Sequence, residues 1–129
     1  MPKFISLHRH AHVLGLMLVL AGCAVQQTAT QIVPLAAEQE AQQRTLAQAL
    51  ELQLDTGYKR SLKQGSRWTH IGRVQQGEVY KPYQDVFTLE GAHVHEAYLV
   101  VDNGVLVGFY LPAERAYSPL GQRPSITLQ

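Results

Sequence analysis

Asp102-Asn103-Gly104 lies between two apolar runs, residues 93–101 and 105–111. Asn-Gly in that setting is the strongest short-range hairpin signal, because both central residues of the tight turn need positive φ. A two-residue loop at 103–104 pairs Val101 with Leu106, Val100 with Val107, Leu99 with Gly108, Tyr98 with Phe109, and Ala97 with Tyr110. Both faces of this ribbon are then apolar, and neither can be left in water over its whole length. One face must lie under another element. The other must meet a second sheet layer, a barrel interior or a partner. Gly108 opposite Leu99 marks a close approach or a local bend.

The element expected to cover the first face is a helix. Pro34 opens the segment 35–54, LAAEQEAQQRTLAQALELQL, rich in good helix formers. Glu38 and Glu40 near its start suit a helix dipole. Leu46, Leu50 and Leu54 recur at i, i+4 and i+8, and Leu35, Ala36, Ala47 and Leu52 broaden the stripe. Asp55-Thr56-Gly57 ends it, with Gly57 as the C-terminal cap. The stripe reads as a helix on a sheet, with a partner helix as the alternative. From Tyr58 the pattern turns to strand: residues 66–74, 78–80 and 85–89 precede the hairpin. The sequence therefore predicts an α+β fold, an N-terminal helix packed on an antiparallel sheet of four to five strands curled toward a barrel. Pro112, Pro119 and Pro124 make residues 112–129 an extended C-terminal tail.

The N-terminus has a different character. Lys3 and Arg9 make it basic, Val13 to Leu20 form an apolar run, and Ala21, Gly22 and Cys23 follow. Eight apolar residues are too few to cross a bilayer, which takes about 20. They suit the apolar region of a secretory signal. Leu20-Ala21-Gly22-Cys23 resembles the lipobox of bacterial lipoproteins. The resemblance covers the signal segment alone. It implies cleavage between Gly22 and Cys23, diacylglycerol on the Cys23 sulfur and acylation of the new α-amino group. Ala24 after the cysteine, rather than Asp, implies sorting to the outer membrane in Gram-negative families. The segments are then 1–22 as a cleaved signal peptide, 23–33 as a lipidated tether, 34–111 as a periplasmic α+β domain and 112–129 as the tail. Ten tether residues could reach at most about 35 Å from the bilayer.

Removing 22 of the 129 residues leaves 107, with nine basic and ten acidic side chains. That balance argues against a nucleic-acid partner. The single cysteine excludes an internal disulfide and a cysteine-rich zinc site. Ser61, Ser66, Ser118 and Ser125 lie in no nucleophile-elbow context, and no glycine loop is built to cradle phosphate. The sequence calls for no cofactor and for binding rather than catalysis.

Two groups of residues carry candidate chemistry. His93 and His95 share one face of a strand, and His70 from a neighbouring strand would complete a three-imidazole metal set. Lys59, Arg60, Lys63, Arg67 and Arg73 form a basic run with no acid between Asp55 and Glu78. With Tyr110 as an aromatic anchor, they would contact an acidic protein surface or a phosphate-bearing lipid. The leading expectation is an interaction module at the outer membrane, serving an envelope machine such as a secretion, conjugation or assembly apparatus. The alternative is a small-ligand or metal-binding lipoprotein using the three histidines.

Overall fold

A computed structural model describes residues 24–129. The signal segment, its cleavage position at Gly22 and the lipidation position Cys23 lie outside the described residues. The described chain is all-β, with no helix: a curled antiparallel half-barrel backed by a second layer of short hairpins.

The curled sheet is built from β6 (Arg67–Val74), β7 (Gly77–Pro82), β10 (Tyr98–Asp102), β11 (Val105–Leu111) and β12 (Ala116–Pro119). Their order is β12-β11-β10-β7-β6, with β1 (Thr28–Ala29) beyond β12 and β2 (Val33–Pro34) beyond β6. Thr28 pairs with Tyr117 on one edge, and Val33 pairs with Arg73 on the other. In a flat sheet, six strand spacings of about 4.8 Å would hold β1 and β2 roughly 29 Å apart. The four Cα steps from Ala29 to Val33 reach at most about 14 Å. The sheet must curl, and residues 28–34 strap its edges together.

The strap decides what each face buries. Ile32 packs against Val74, Val79, Tyr98, Val100, Val107, Tyr110 and Tyr117 on the concave side. Leu99, Leu106, Phe109 and Leu111 face the other way. They are covered by β4 (Leu50–Gln53) paired with β5 (Lys59–Leu62), by β8 (Thr88–Glu90) paired with β9 (Val94–Glu96), and by the C-terminal residues. Both apolar faces of the hairpin are thus buried within one chain, the second as the lining of a half-barrel.

The expected α+β fold is overturned here, because residues 35–54 form no helix. They give β3 (Gln43–Thr45), which pairs with β6, and then β4. The spacing explains the error. Leucines at 46, 50 and 54 satisfy a period of four, and also a period of two. Leu52 discriminates. Leu52 and Leu54 are buried while Glu51 and Gln53 are exposed, which is strand alternation. Gly57 does take a positive φ of 92°, but in the turn joining β4 to β5 rather than at a helix end. The helix formers yield to pairing with β5 and burial against the sheet.

The hairpin register is as expected only beside the turn. Asn103 and Gly104 have φ of 47° and 73°, and Val101 faces Leu106. Beyond that pair a bulge at Val107 shifts the ladder by one, so Val100 faces Gly108, Leu99 faces Phe109 and Tyr98 faces Tyr110. The Val107 carbonyl turns to accept from Tyr117 Oη at 2.8 Å and from Leu120 N at 3.0 Å. Residues 112–129 accordingly sit inside the fold: β12 pairs with β11, and Leu120 and Ile126 are buried. The stretch 24–33 is likewise bound to the domain, Val25 by packing on the main core and residues 28–29 and 33 by strand pairing.

Tyr80, Tyr98 and Tyr117 have phenols whose pKa is raised, first by burial, which penalises the phenolate. A raised folded value means stability that is complete below pH 10 and lost as pH climbs through it. The melting temperature is expected to hold from pH 8 to about 9.5 and then to fall. Tyr117→Phe should make that fall shallower, at a neutral-pH cost of about 1 kcal/mol for the lost hydrogen bond. Thermal melts across the series check both.

Candidate functional site: a cationic cleft between β5, β6 and the 82–87 loop

Three of the five predicted basic residues converge. Arg60, Lys63 and Arg67 line a cleft of about 520 Å³ with Trp68, Tyr83 and Phe87. That volume is within the range of small-ligand pockets. Arg60 and Leu62 face inward from β5, and the turn after Lys63 leads to Arg67 at the start of β6. The Ser66 hydroxyl donates to the Lys63 carbonyl at 2.6 Å and accepts from Trp68 Nε1 at 3.0 Å, which ties the turn to the indole. The far wall is the loop after β7. It is held by Tyr83 N donating to the Arg67 carbonyl at 3.0 Å and carries a positive φ of 50° at Gln84.

Aromatic planes hold the cations. The Arg67 guanidinium lies 4.6 Å from the Tyr83 ring centroid, and that of Arg60 lies 5.1 Å from Phe87. Such stacking orients a guanidinium and leaves its N–H edges available. Phe87 is anchored in turn by Trp68 (6.1 Å, edge-on) and Phe109 (5.8 Å, stacked), so the cleft wall is continuous with the main core. Arg60 Nη1 approaches Glu90 at 3.6 Å, while its buried Nε has no hydrogen-bond partner. A buried donor left unpaired costs about 1–3 kcal/mol. Asp85 also lines the cleft, with Oδ1 accepting from the Val86 amide at 2.7 Å.

The other predicted residues lie elsewhere. Lys59 is exposed on β5 outside the cleft lining. Arg73 stands on the strap side of the sheet, facing Val33 on one strand and Glu78 on the other. Tyr110 is buried on the concave face, 6.2 Å from Tyr98, and offers no surface anchor. The sequence offered it as an aromatic anchor, whereas the bulge at Val107 fixes which side it faces.

The three histidines do not meet. His70 Nε2 lies 2.6 Å from Glu78 Oε2, and its ring stacks on Tyr80. His95 Nδ1 lies 2.6 Å from Glu114 Oε1. His93 is exposed in the turn between β8 and β9. Among the described residues, no three of His, Cys, Asp or Glu converge as a metal site would require. Each buried-side imidazole instead has one carboxylate partner. The aromatic wall of the cleft is what the sequence reading missed. Its signal was present in the Pro82-Tyr83 and Val86-Phe87 pairs, but only the folded loop brings them to the basic run.

Among the described residues no helix is long and apolar enough to cross a membrane. Comparison of the chain with protein-family models, with curated proteins and with solved structures finds no match.

Proposed function

We propose that this protein is a lipid-anchored interaction module of the cell envelope. It is held at the periplasmic face of the outer membrane through Cys23, and it captures an acidic feature of an envelope protein in the cleft of Arg60, Lys63 and Arg67. The observation that carries the reading is the pair of arginines stacked on Tyr83 and Phe87 at the cleft wall. Oriented guanidinium groups suit a carboxylate, which they grip by paired N–H edges. Binding rather than turnover is the role this supports.

The test is crosslinking in native envelopes followed by affinity capture through a C-terminal tag. Lys63→Glu/Arg67→Glu reverses two exposed charges without touching the core. It should lower recovery of the captured protein by about tenfold or more, corresponding to roughly 1.5–3 kcal/mol for hydrogen bonds to charged groups. The variant's melting temperature should move by under about 3 °C, as for surface changes. Full recovery with the doubly reversed variant removes the cleft as the contact surface.

A further inference from the structure

The described chain is bound to the fold almost from its first residue. Ala24 and Val25 line an apolar cavity of about 200 Å³ with Leu54, Thr56, Phe109 and Leu120. Val25 also packs on the main core. Cys23 is therefore two Cα steps, at most about 7 Å, from the first residue packed on the core. The ten-residue tether expected from sequence would have allowed a stand-off of about 35 Å. The folded chain allows about 7 Å.

Ala24 shares that cavity with Asp55 and Thr56, so the turn between β4 and β5 lies beside the anchor. The turn is closed by Leu54 N donating to the Tyr58 carbonyl at 2.8 Å and Gly57 N donating to the Leu54 carbonyl at 2.8 Å. Asp55 Oδ1 accepts from Gly121 N at 3.0 Å, and the Thr56 hydroxyl donates to the Glu90 carbonyl at 2.6 Å. It is thus a rigid rim tied to two neighbouring loops. On it Tyr58 is 47% exposed, the one aromatic among the four large apolar side chains that the described residues leave in water. Lys59 follows and is exposed as well. A tyrosine with a neighbouring lysine is the chemistry of the membrane–water interface: the ring sits at headgroup depth and the ammonium meets lipid phosphate.

We infer that the β4–β5 turn docks on the bilayer, with Tyr58 in the phospholipid headgroup layer and Lys59 against lipid phosphate, so that the domain sits flush on the membrane instead of swinging on a tether. The inference rests on the reading that Cys23 is lipidated. A headgroup layer is only about 5–8 Å deep on each side, and an anchor two residues from the packed core, at most about 7 Å away, brings the rim within its reach. The opposite end of β12 is different. Thr30 N donates to the Arg115 carbonyl at 3.0 Å, so the chain runs along β12 away from the anchor, and the 112–115 turn lies at the far end of that path.

The full chain, produced in a Gram-negative host and purified in detergent, gives the test. Once Cys23 is acylated, Tyr58→Cys and, separately, Ala113→Cys each supply one free thiol for an environment-sensitive fluorophore. The proteins are reconstituted into phosphatidylethanolamine/phosphatidylglycerol vesicles with and without nitroxide-labelled lipid. Intact mass reports the acylation. The expected result is a blue-shifted probe at position 58 that nitroxide lipid quenches by half or more, and an unshifted, unquenched probe at 113. Equal, solvent-like signals at both positions in fully acylated protein overturn the docking and leave the anchor standing. Comparable quenching at both positions overturns the proposed orientation. A mass without diacylglycerol at Cys23 overturns the anchor itself and the docking with it.

Discussion

Deletion of residues 120–129 is expected to leave a chain that does not fold at 25 °C. The segment buries Leu120 and Ile126 against the main core and packs Leu128 beside them. Removing a buried aliphatic side chain costs about 2–5 kcal/mol, so two exceed or approach the whole stability of a small domain, about 5–15 kcal/mol. The loss is compounded by backbone groups. Leu106 N donates to the Pro124 carbonyl, Ile126 N to the Gly104 carbonyl and Ala47 N to the Thr127 carbonyl, each at 2.9 Å. Thr45 and Gln129 exchange a reciprocal pair at 2.8 and 2.9 Å. Truncation would strand these partners and uncover Leu46 and Leu106, both essentially fully buried. Far-UV circular dichroism and urea titration of residues 24–119 against 24–129 measure the effect. A cooperative transition with an unchanged midpoint would show that the segment is peripheral.

Gly108→Val has the second largest expected effect. A Cβ at this position would lie 2.4 Å from the Ser118 carbonyl oxygen and 2.6 Å from Tyr117 Oη. The first obstacle is backbone of the paired strand, since Gly108 faces Pro119 and Phe109 faces Ser118. It cannot retreat without opening the β11–β12 ladder. The second obstacle is the phenol that satisfies the Val107 carbonyl at the bulge. A cost of about 4 kcal/mol or more follows, with a melting temperature lower by roughly 16 °C or more. Gly104→Ala is the comparison. Its φ of 73° disfavours a side chain, but the nearest atom, the Ile126 carbonyl oxygen, is 3.8 Å away. Its loss should be nearer 1 kcal/mol. If both variants melt alike, the close approach at Gly108 is not what the sheet depends on.

What could be read from sequence follows how local each cause is. The Asn103-Gly104 turn is set by two φ angles, and it stands where the sequence placed it. The register beyond Val101–Leu106 slipped by one, because the bulge is held by Tyr117 and Leu120, residues that no window around the hairpin contains. The helix expected over 35–54 failed for a related reason. Ala, Glu and Gln favour helix locally, but Leu52 and Leu54 are buried by β5 and the main sheet, and that tertiary gain decides the state. The basic run was visible as charge, and Arg60, Lys63 and Arg67 do share a cleft. Its aromatic wall was not visible, because Tyr83 and Phe87 arrive on a loop whose path depends on Arg67 binding Tyr83 through the backbone. The histidines were adjacent in pattern only. Glu78 and Glu114 claim two of them separately.

The strap across the sheet edges has a kinetic side. Residues 28–29 are made well before their partner strand, residues 116–117. The pairing that completes the half-barrel is therefore of the highest sequence separation the domain contains, the kind that slows folding most. Until it forms, the outer edge of β12 carries unpaired amides and carbonyls, a template for another unfinished copy. A chain released early gains none of the closure. Closure thus waits for β12, and a delay between that strand appearing and β1 finding it sets the window in which the protein is open to aggregation.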